Sequence, residues 1–277
     1  MSHISGTAAP LCGVEPAEAD IPMLYCETTG QGPDVVLVHG WSMHGGVWNS
    51  FADRLARRFR LTMVDLPGHG YSPLLSDNSL AGWAKAILAV APPRAHWLGW
   101  SLGATLALQA AAMDAARVQR LIMLCGTPCF VARSDWPYAM PWEVFEGFEA
   151  AVLQQGSAAL PRFLALQVRG ALQPRVLMKQ LQGLLEQRPA PLPAALAAGM
   201  SMLRTADLRG ALAALACPGM AILGANDVLV PAAVAADLQR LAPMSSIMMV
   251  DGAAHQPFLT HSAEVADRTM QFFGETL

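Results

Sequence analysis

Charged residues are scarce in this sequence. Only 14% of the 277 residues are charged, with 18 Lys and Arg against 21 Asp and Glu, and the formal net charge is −3. Nucleic-acid-binding proteins usually carry a clustered basic surface, so we expect no nucleic-acid partner. Long apolar runs are also lacking: the most apolar stretch, Ala104 to Met113, is short and contains Gln109. A membrane-spanning helix needs ~20 apolar residues, so we expect no membrane span.

Cysteine is sparse as well, and its five residues are odd in number and scattered along the chain. We expect free thiols in a reducing cytoplasm. Cys125 and Cys129 are spaced C-x3-C, but no second group of Cys and His residues completes a zinc site. Residues 1–20 lack the basic and apolar segments of a secretory signal, and their composition predicts a flexible N-terminal extension. The expectation is therefore a cytoplasmic protein with neither a metal nor an organic cofactor.

Short apolar runs alternate with Ala- and Leu-rich stretches along most of the chain. Runs that are apolar throughout are typical of strands buried on both faces of a parallel sheet. The turn Gly30–Pro33 predicts an antiparallel hairpin of residues 23–28 with 35–38 at the start of the sheet. The pattern as a whole predicts a doubly wound α/β fold. The predicted strands are Val35–Val38, Leu61–Val64, His96–Gly99, Leu121–Leu124, Met220–Leu223 and Ile247–Val250, and the predicted helices are Val47–Arg58, Ser79–Val90, Leu102–Asp114, Ala232–Leu241 and Ser262–Phe273.

One long segment interrupts this alternation. Residues 127–206 show helical periodicity broken by prolines and contain no convincing strand, and regular alternation resumes only after Cys217-Pro218. We expect this segment to form a helical cap over the carboxyl edge of the sheet, where ligands bind in open α/β folds. The predicted organisation is an extension at 1–20, a core made of 21–126 and 207–277, and a cap at 127–206.

A nucleophile is predicted by Gly99-Trp100-Ser101-Leu102-Gly103, which fits the pattern G-x-S-x-G. The strand-like stretch 95–98 precedes this motif and a helix-like stretch follows it. In that context a serine is held on a tight turn at the edge of the sheet. A serine that merely caps the following helix is the alternative. We interpret Ser101 as the nucleophile.

A serine hydroxyl needs a neighbouring base, and His255 is the best placed of the seven histidines. It follows the last predicted strand, so it should stand on a loop at the same sheet edge as Ser101. Asp227 follows the preceding strand and would orient the imidazole, although it could simply cap a helix. Asp65 is the rival acid, but it precedes the serine, and α/β hydrolases use the order Ser, Asp, His. The predicted catalytic triad is Ser101, Asp227 and His255.

Two backbone amides are the predicted donors of an oxyanion hole. One is the N–H of Leu102, directly after the nucleophile. The other is the N–H of Trp41, in the loop His39-Gly40-Trp41 that follows an early strand. We expect the Trp41 side chain to wall an acyl pocket, and plain core packing is the alternative.

The motifs identify a family. The chain resembles the carboxylesterases of biotin synthesis, which remove the methyl ester from pimeloyl-acyl-carrier protein. The resemblance implies the α/β-hydrolase fold, with a mostly parallel, doubly wound sheet and a helical cap inserted after the sixth strand. The segments that carry it are Val36–Trp41, Val64–Gly68, Trp97–Gly103, Pro128–Phe130 with Asp135–Pro137, Phe163–Gln167 and Ala253–His255.

The same resemblance implies a substrate site. Phe163 and Gln167 are four residues apart and would share one face of a helix, although ordinary packing of the cap on the core is the alternative. The residues implied to line the substrate are Trp41, Ser101, Leu102, Phe163, Leu164, Ala165, Leu166, Gln167 and His255.

The predicted cap is rich in positive charge. Between Leu160 and Thr205 its cations are Arg162, Arg169, Arg175, Lys179, Arg188 and Arg204, against the single acid Glu186. Acyl carrier proteins are acidic, and opposite charge speeds and orients an encounter. We expect Arg162, Arg175 and Lys179 to dock the carrier, while a merely solvated helix face is the alternative.

The predicted function is that of a monomeric serine carboxylesterase. It would hydrolyse pimeloyl-acyl-carrier-protein methyl ester to pimeloyl-acyl-carrier protein and methanol through an acyl-enzyme. Fold and triad do not determine the substrate, so a broad-specificity short-chain carboxylesterase, a C–C bond hydrolase and a perhydrolase remain open. From a different class, a hydrolase-fold receptor that binds a ligand without turnover is a further alternative.

Overall fold

A twisted sheet forms the centre of the computed structural model, which describes residues 23–243 and 245–275. Its strands are β1 (Cys26–Thr29), β2 (Asp34–Val38), β3 (Arg60–Val64), β4 (Ala95–Trp100), β5 (Val118–Leu124), β6 (Gly219–Gly224) and β7 (Ser246–Val250). They lie in the order β1-β3-β2-β4-β5-β6-β7. β1 is antiparallel to β3, and every other neighbouring pair is parallel. The carboxyl ends of β2 to β7 therefore meet at one edge.

Helices cover both faces of this sheet. They are α1 (Asn49–Leu55), α2 (Leu80–Val90), α3 (Leu102–Met113), α4 (Trp142–Gln155), α5 (Leu160–Val168), α6 (Pro174–Leu185), α7 (Pro193–Thr205), α8 (Arg209–Ala213), α9 (Val234–Leu241), α10 (Pro257–Thr260) and α11 (Ser262–Gly274), with 3-10 turns at Gly45–Trp48, Ala115–Arg117 and Gly156–Ala159. Among the described residues, no helix is both long enough and apolar enough to cross a bilayer.

Side chains that alternate along a strand pack into different clusters. Val36 and Val38 of β2 join one apolar cluster with α2, α3, α8 and α9, whereas Val35 and Leu37 join another with α1, α10 and α11. Alternation of side chains across a strand has this effect when both faces are covered. The predicted doubly wound α/β sheet is confirmed.

The predicted hairpin of the first two strands is wrong. β1 pairs with β3, with Cys26 opposite Val64, so β3 lies between β1 and β2. The link between β1 and β2 packs against the turn that enters β3: Gly30 has φ +79°, and a Cβ there would lie 2.2 Å from the carbonyl oxygen of Phe59. The turn-forming glycines predicted a reversal of the chain, but they did not identify the strand that pairs with β1.

The segment that interrupts the alternation consists of four helices, α4 to α7, between β5 and β6. We call residues 127–206 the helical insertion. The insertion was predicted to follow the sixth strand. Counted within the described residues, where β1 is the first strand, it follows the fifth. We propose that the insertion is the cap domain and that the other described residues form the core. The predicted extension at 1–20 lies outside the described residues.

Candidate active site

Ser101 occupies a strained turn between β4 and α3. Its φ of 56° and ψ of −119° are rare for a residue other than glycine, and such strain is concentrated at functional sites. The flanking glycines allow a very close approach of the chain. A Cβ at Gly99 would lie 2.2 Å from the carbonyl oxygen of Gly103, and a Cβ at Gly103 would lie 2.2 Å from that of Val38. The two glycines therefore make possible the turn that presents the serine.

Asp227 and His255 meet at the edge of the sheet, after β6 and β7. Their Oδ2 and Nδ1 atoms are 2.7 Å apart, and both side chains are fully buried. Oδ1 of Asp227 accepts hydrogen bonds from the N–H groups of Leu229 (2.8 Å) and Val230 (3.1 Å). These bonds orient the carboxylate, and the carboxylate orients the imidazole with Nε2 free to exchange a proton. That Nε2 has no hydrogen-bond partner among the described residues.

Asp65, the rival acid, is engaged elsewhere. Its Oδ1 accepts from the N–H of Gly45 (2.6 Å) and from Nη1 of Arg188 (2.8 Å). Its Oδ2 accepts from the N–H of Tyr71 (2.9 Å). Asp65 therefore shapes loops at the base of the helical insertion, and of these two acids only Asp227 is hydrogen-bonded to His255.

Trp100 takes part in this arrangement, although sequence reasoning did not single it out. Its Nε1 donates to the carbonyl oxygen of His255 at 2.8 Å. Its ring lies behind Gly40, where a Cβ would be 3.0 Å from Cε3 of the indole. Trp100 thus connects the turn of Ser101 to the loop of His255 and to the loop of Trp41. The sequence offered one signal for this role, which is that a tryptophan stands directly before the serine of the motif.

The two predicted oxyanion donors lie on the loops expected of them. Leu102 is the first residue of α3, so its N–H has no carbonyl partner one turn earlier in the helix. Trp41 follows β2, and its side chain is 1% exposed. The Nε1 of Trp41 donates to the carbonyl oxygen of Leu196 in α7 at 2.9 Å. The Trp41 side chain therefore packs between the core and the helical insertion, and the oxyanion role of its N–H stays a prediction.

An apolar crevice lies beside Trp41. The ring of Phe163 is 4.8 Å from that of Trp41, centroid to centroid, and Phe148 is 5.5 Å from it. The free volume of the crevice is about 10 Å³, roughly the room for one water molecule. An acyl chain can therefore enter only if lining side chains or helices of the insertion move. The crevice is lined by Phe130, Met140, Val144, Phe145, Phe148, Phe163, Leu166, Met200, Leu203 and Leu229.

The five residues of the implied substrate segment do not share one environment. Phe163 and Leu166 line the crevice. Leu164 packs into the apolar cluster that includes α6, and Ala165 is exposed. Gln167 is buried, and its Oε1 accepts from Nε2 of Gln256 at 2.6 Å. The periodicity of α5 separates these side chains: Phe163 and Leu166 face the crevice, Leu164 and Gln167 are buried elsewhere, and Ala165 faces outward.

The positive charges of the helical insertion fall into two groups. Arg162, Arg175 and Lys179 are exposed, and none has a carboxylate within 4.0 Å in the described ranges. Arg188 belongs to the other group: its side chain is 6% exposed, and its Nη2 lies 2.6 Å from Oε2 of Glu27. Arg204 is paired with a carboxylate of α4 at 3.3 Å.

One set of possible metal ligands lies within the site. The thiol of Cys125, a carboxylate oxygen of Asp227 and a ring nitrogen of His255 lie within 4.8 Å of one another. Burial, together with the charge of Asp227, raises the pKa of the Cys125 thiol well above its ordinary value. Metal binding would have to displace the proton of this buried thiol. The four described cysteines are free thiols.

Comparisons with known proteins place this geometry in a family. A family model described as the alpha/beta hydrolase fold matches residues 33–262. Among solved structures, an esterase from Exiguobacterium antarcticum has a TM-score of 0.81 at 20% identity, covering 91% of this chain and 96% of that one. A bromoperoxidase from Bacillus anthracis has a TM-score of 0.82 at 18% identity, covering 92% and 99%. At such low identity these two structures show the fold alone, and they confirm the predicted α/β-hydrolase fold.

Closer relatives are found by sequence. A protein from Methylococcus capsulatus, named pimeloyl-(acyl-carrier protein) methyl ester esterase, is 46% identical over 253 residues, which are 91% of this chain and 99% of that protein. A protein of the same name from Nitrosomonas europaea is 41% identical over 86% of this chain and 94% of that protein. The chain therefore belongs to the α/β-hydrolase fold family and, within it, to the family of the pimeloyl-(acyl-carrier protein) methyl ester esterases.

Proposed function

We propose that this protein is a serine carboxylesterase that hydrolyses the methyl ester of pimeloyl-acyl-carrier protein in biotin synthesis, releasing pimeloyl-acyl-carrier protein and methanol. The observation that carries the chemistry is the hydrogen bond between Asp227 and His255, at the edge of the sheet where a strained turn presents Ser101. The names of relatives that match about nine-tenths of the chain support the substrate. We further propose that it acts in the cytoplasm as a monomer.

The reaction proceeds in two steps. Nε2 of His255 takes the proton of Ser101 as its Oγ attacks the ester carbonyl, and the N–H groups of Trp41 and Leu102 bind the oxyanion. Collapse of this intermediate breaks the bond to the methoxy group, which leaves as methanol with the proton from His255. Water then attacks the acyl-enzyme, His255 accepts its proton and returns it to Ser101, and the free carboxylate departs. Asp227 stabilises the imidazolium in both steps.

The apolar crevice beside Trp41 would receive the methylene chain. Its walls are apolar along their whole length, and two of them, Phe163 and Leu166, come from α5. Because the crevice has little free volume, binding requires its lining side chains, or α5 and its neighbours, to move. Burial of each methylene group contributes about 0.8 kcal/mol, which offsets the cost of opening.

The direct test is hydrolysis of pimeloyl-acyl-carrier-protein methyl ester, followed by mass spectrometry, beside S101A and beside a free short-chain ester. We expect rapid demethylation that S101A abolishes and that is more efficient than cleavage of the free ester. Turnover of the free ester alone would show that the protein is a short-chain carboxylesterase, and it would refute the carrier-bound ester as the substrate. Lack of turnover, with no labelling of Ser101 by a fluorophosphonate, would favour a receptor.

Carrier docking is assigned to Arg162, Arg175 and Lys179, whose charges are exposed and unpaired within the described residues. We expect the triple variant R162E/R175E/K179E to raise KM for the carrier-bound ester and to spare a small ester, because only the carrier is acidic and large enough to reach these side chains. The variant R57E/R58E, on exposed residues of the core, is the matched control. An equal loss on both substrates would refute docking at this surface.

A further inference from the structure

The end of α5 is attached to the two loops that carry the acid and the base. Oε1 of Gln167 accepts from Nε2 of Gln256 at 2.6 Å, and the two side chains are 1% and 0% exposed. Two residues after α5, the carbonyl oxygen of Gly170 accepts from Nδ2 of Asn226 at 3.0 Å. Gln256 directly follows His255, and Asn226 directly precedes Asp227. A helix that lines the crevice is therefore joined to the sequence neighbours of both residues.

These attachments are close-fitting and connect to each other. Gly170 has φ +91°, and a Cβ there would lie 2.4 Å from the carbonyl oxygen of Asn226. The N–H of Asn226 donates in turn to the carbonyl oxygen of Ala253 at 2.9 Å, in the loop that leads to His255. A displacement of the end of α5 is therefore transmitted to both loops at once.

The opposite side of the helical insertion is held by charge. Arg188, between α6 and α7, forms ion pairs with Asp65 (2.8 Å) and Glu27 (2.6 Å), and its guanidinium lies over the rings of Tyr25 and Tyr71, which contact each other. Charge-assisted hydrogen bonds are roughly twice as strong as neutral ones. The attachments of α5 are neutral amide bonds, so each is weaker than an ion pair of Arg188.

We propose that Gln256 is a positioning residue whose bond to Gln167 couples filling of the crevice to the placement of His255, so that long acyl chains are turned over in preference to acetyl groups. Phe163, which an acyl chain must displace, lies one turn before Gln167 on the same side of α5. Oε1 of Gln256 is buried without a partner in the described residues, so its amide has hydrogen-bonding capacity left for a rearranged contact. The inference rests on the proposed esterase activity but not on the carrier.

The test compares kcat/KM for p-nitrophenyl hexanoate with that for p-nitrophenyl acetate. In Q256L we expect the hexanoate-to-acetate ratio to fall about fivefold to tenfold, the effect of losing roughly one hydrogen bond. Q167L should cause a similar fall, and Q256L/Q167L should fall no further, because both substitutions remove the same bond. Q182L, an exposed position on α6, should keep the ratio of the unaltered protein.

Three results would overturn the proposal. They are an unchanged ratio in Q256L, an equal loss on both esters, which a merely structural role predicts, and effects of the single variants that multiply in the double variant. Q256N keeps the polarity of the amide but cannot reach Gln167, and it replaces Q256L if that variant does not fold. Normal esterase activity with an unchanged ratio refutes this coupling alone. Failure of the unaltered protein to cleave either ester refutes the proposed function together with it.

Discussion

The indole Nε1 of Trp100 donates a hydrogen bond of 2.8 Å to the backbone carbonyl oxygen of His255, and both residues are fully buried. Trp100 directly precedes Ser101, so one side chain fixes the loop of His255 relative to the turn of Ser101. The distance between these two loops decides whether Nε2 of His255 can reach the serine hydroxyl, and proton transfer depends on that geometry.

Replacement of Trp100 by Phe tests this bond. W100F keeps an aromatic ring but leaves the His255 carbonyl without its donor, which should cost about 1–3 kcal/mol of unfolding free energy. We expect kcat for an ester to fall about tenfold with KM nearly unchanged, because alignment rather than binding is affected. Urea unfolding and steady-state kinetics measure the two effects, with W142F, a 42% exposed position, as the control. A rise in KM with kcat preserved would contradict the prediction.

If Asp227 orients His255, its replacement by Asn should greatly lower kcat. In D227N the amide can present its N–H to Nδ1 and favour the wrong tautomer of His255, which should lower kcat roughly 10³–10⁴-fold. The rate of fluorophosphonate labelling of Ser101 should fall in parallel. D251N, on an exposed residue of the loop before His255, is the matched control and should retain activity. A D227N variant with activity within tenfold of normal would disprove the assignment of the acid.

Replacement of Arg188 by Met should strongly lower the stability of the protein. Its removal leaves Asp65, which is fully buried, without its cation, and breaking such a buried pair costs about 3–5 kcal/mol. R204M removes a surface ion pair with Glu149, which is worth at most about 1 kcal/mol. We expect the urea midpoint of R188M to fall far more than that of R204M. Equal midpoints would show that Arg188 does not hold the helical insertion to the core.

Protonation of two buried histidines, His39 and His69, should lower the stability of the protein in mild acid. Burial lowers the pKa of His69 to about 4 and that of His39 well below its ordinary value. Nε2 of His39 accepts from the N–H of Leu66 at 2.9 Å, a bond that a protonated ring cannot form. Because the pKa of each of these histidines is lower in the folded protein than in the unfolded chain, the unfolded chain binds more protons than the folded protein below about pH 6.5. Stability is then complete above that pH and declines as the pH falls toward 4.

The pH dependence can be measured by urea unfolding at pH 7, 6 and 5. We expect His69 to lower the unfolding free energy by about 2 kcal/mol between pH 7 and 5, and His39 to lower it further in the same direction. In H69Q the stability at pH 7 changes through lost packing, so the slope against pH is the informative quantity. That slope should be shallower than in the unaltered protein. An identical slope in H69Q would mean that His69 titrates normally in the folded state.

The sequence by itself determined the class of fold and the turn that presents Ser101. Both depend on local patterns: uniformly apolar strands predict a sheet covered on both faces, and glycines at 99 and 103 permit the close contacts that the turn requires. The meeting of Asp227 and His255 could also be anticipated, because carboxyl ends of parallel strands share one edge of the sheet. In the structure the two side chains are joined by a hydrogen bond of 2.7 Å, and their catalytic roles stay a prediction.

Only the tertiary structure decided which partner each side chain takes across long sequence separations. The turn glycines could not show that β1 pairs with β3, because pairing depends on which strand edge is free after the sheet has assembled. Charge counting placed Arg188 among the cations of the cap, whereas its burial depends on Glu27 and Asp65, more than a hundred residues earlier. Gln167 and Gln256 are likewise 89 residues apart. Such contacts arise from the packing of the insertion on the core, which no local pattern encodes.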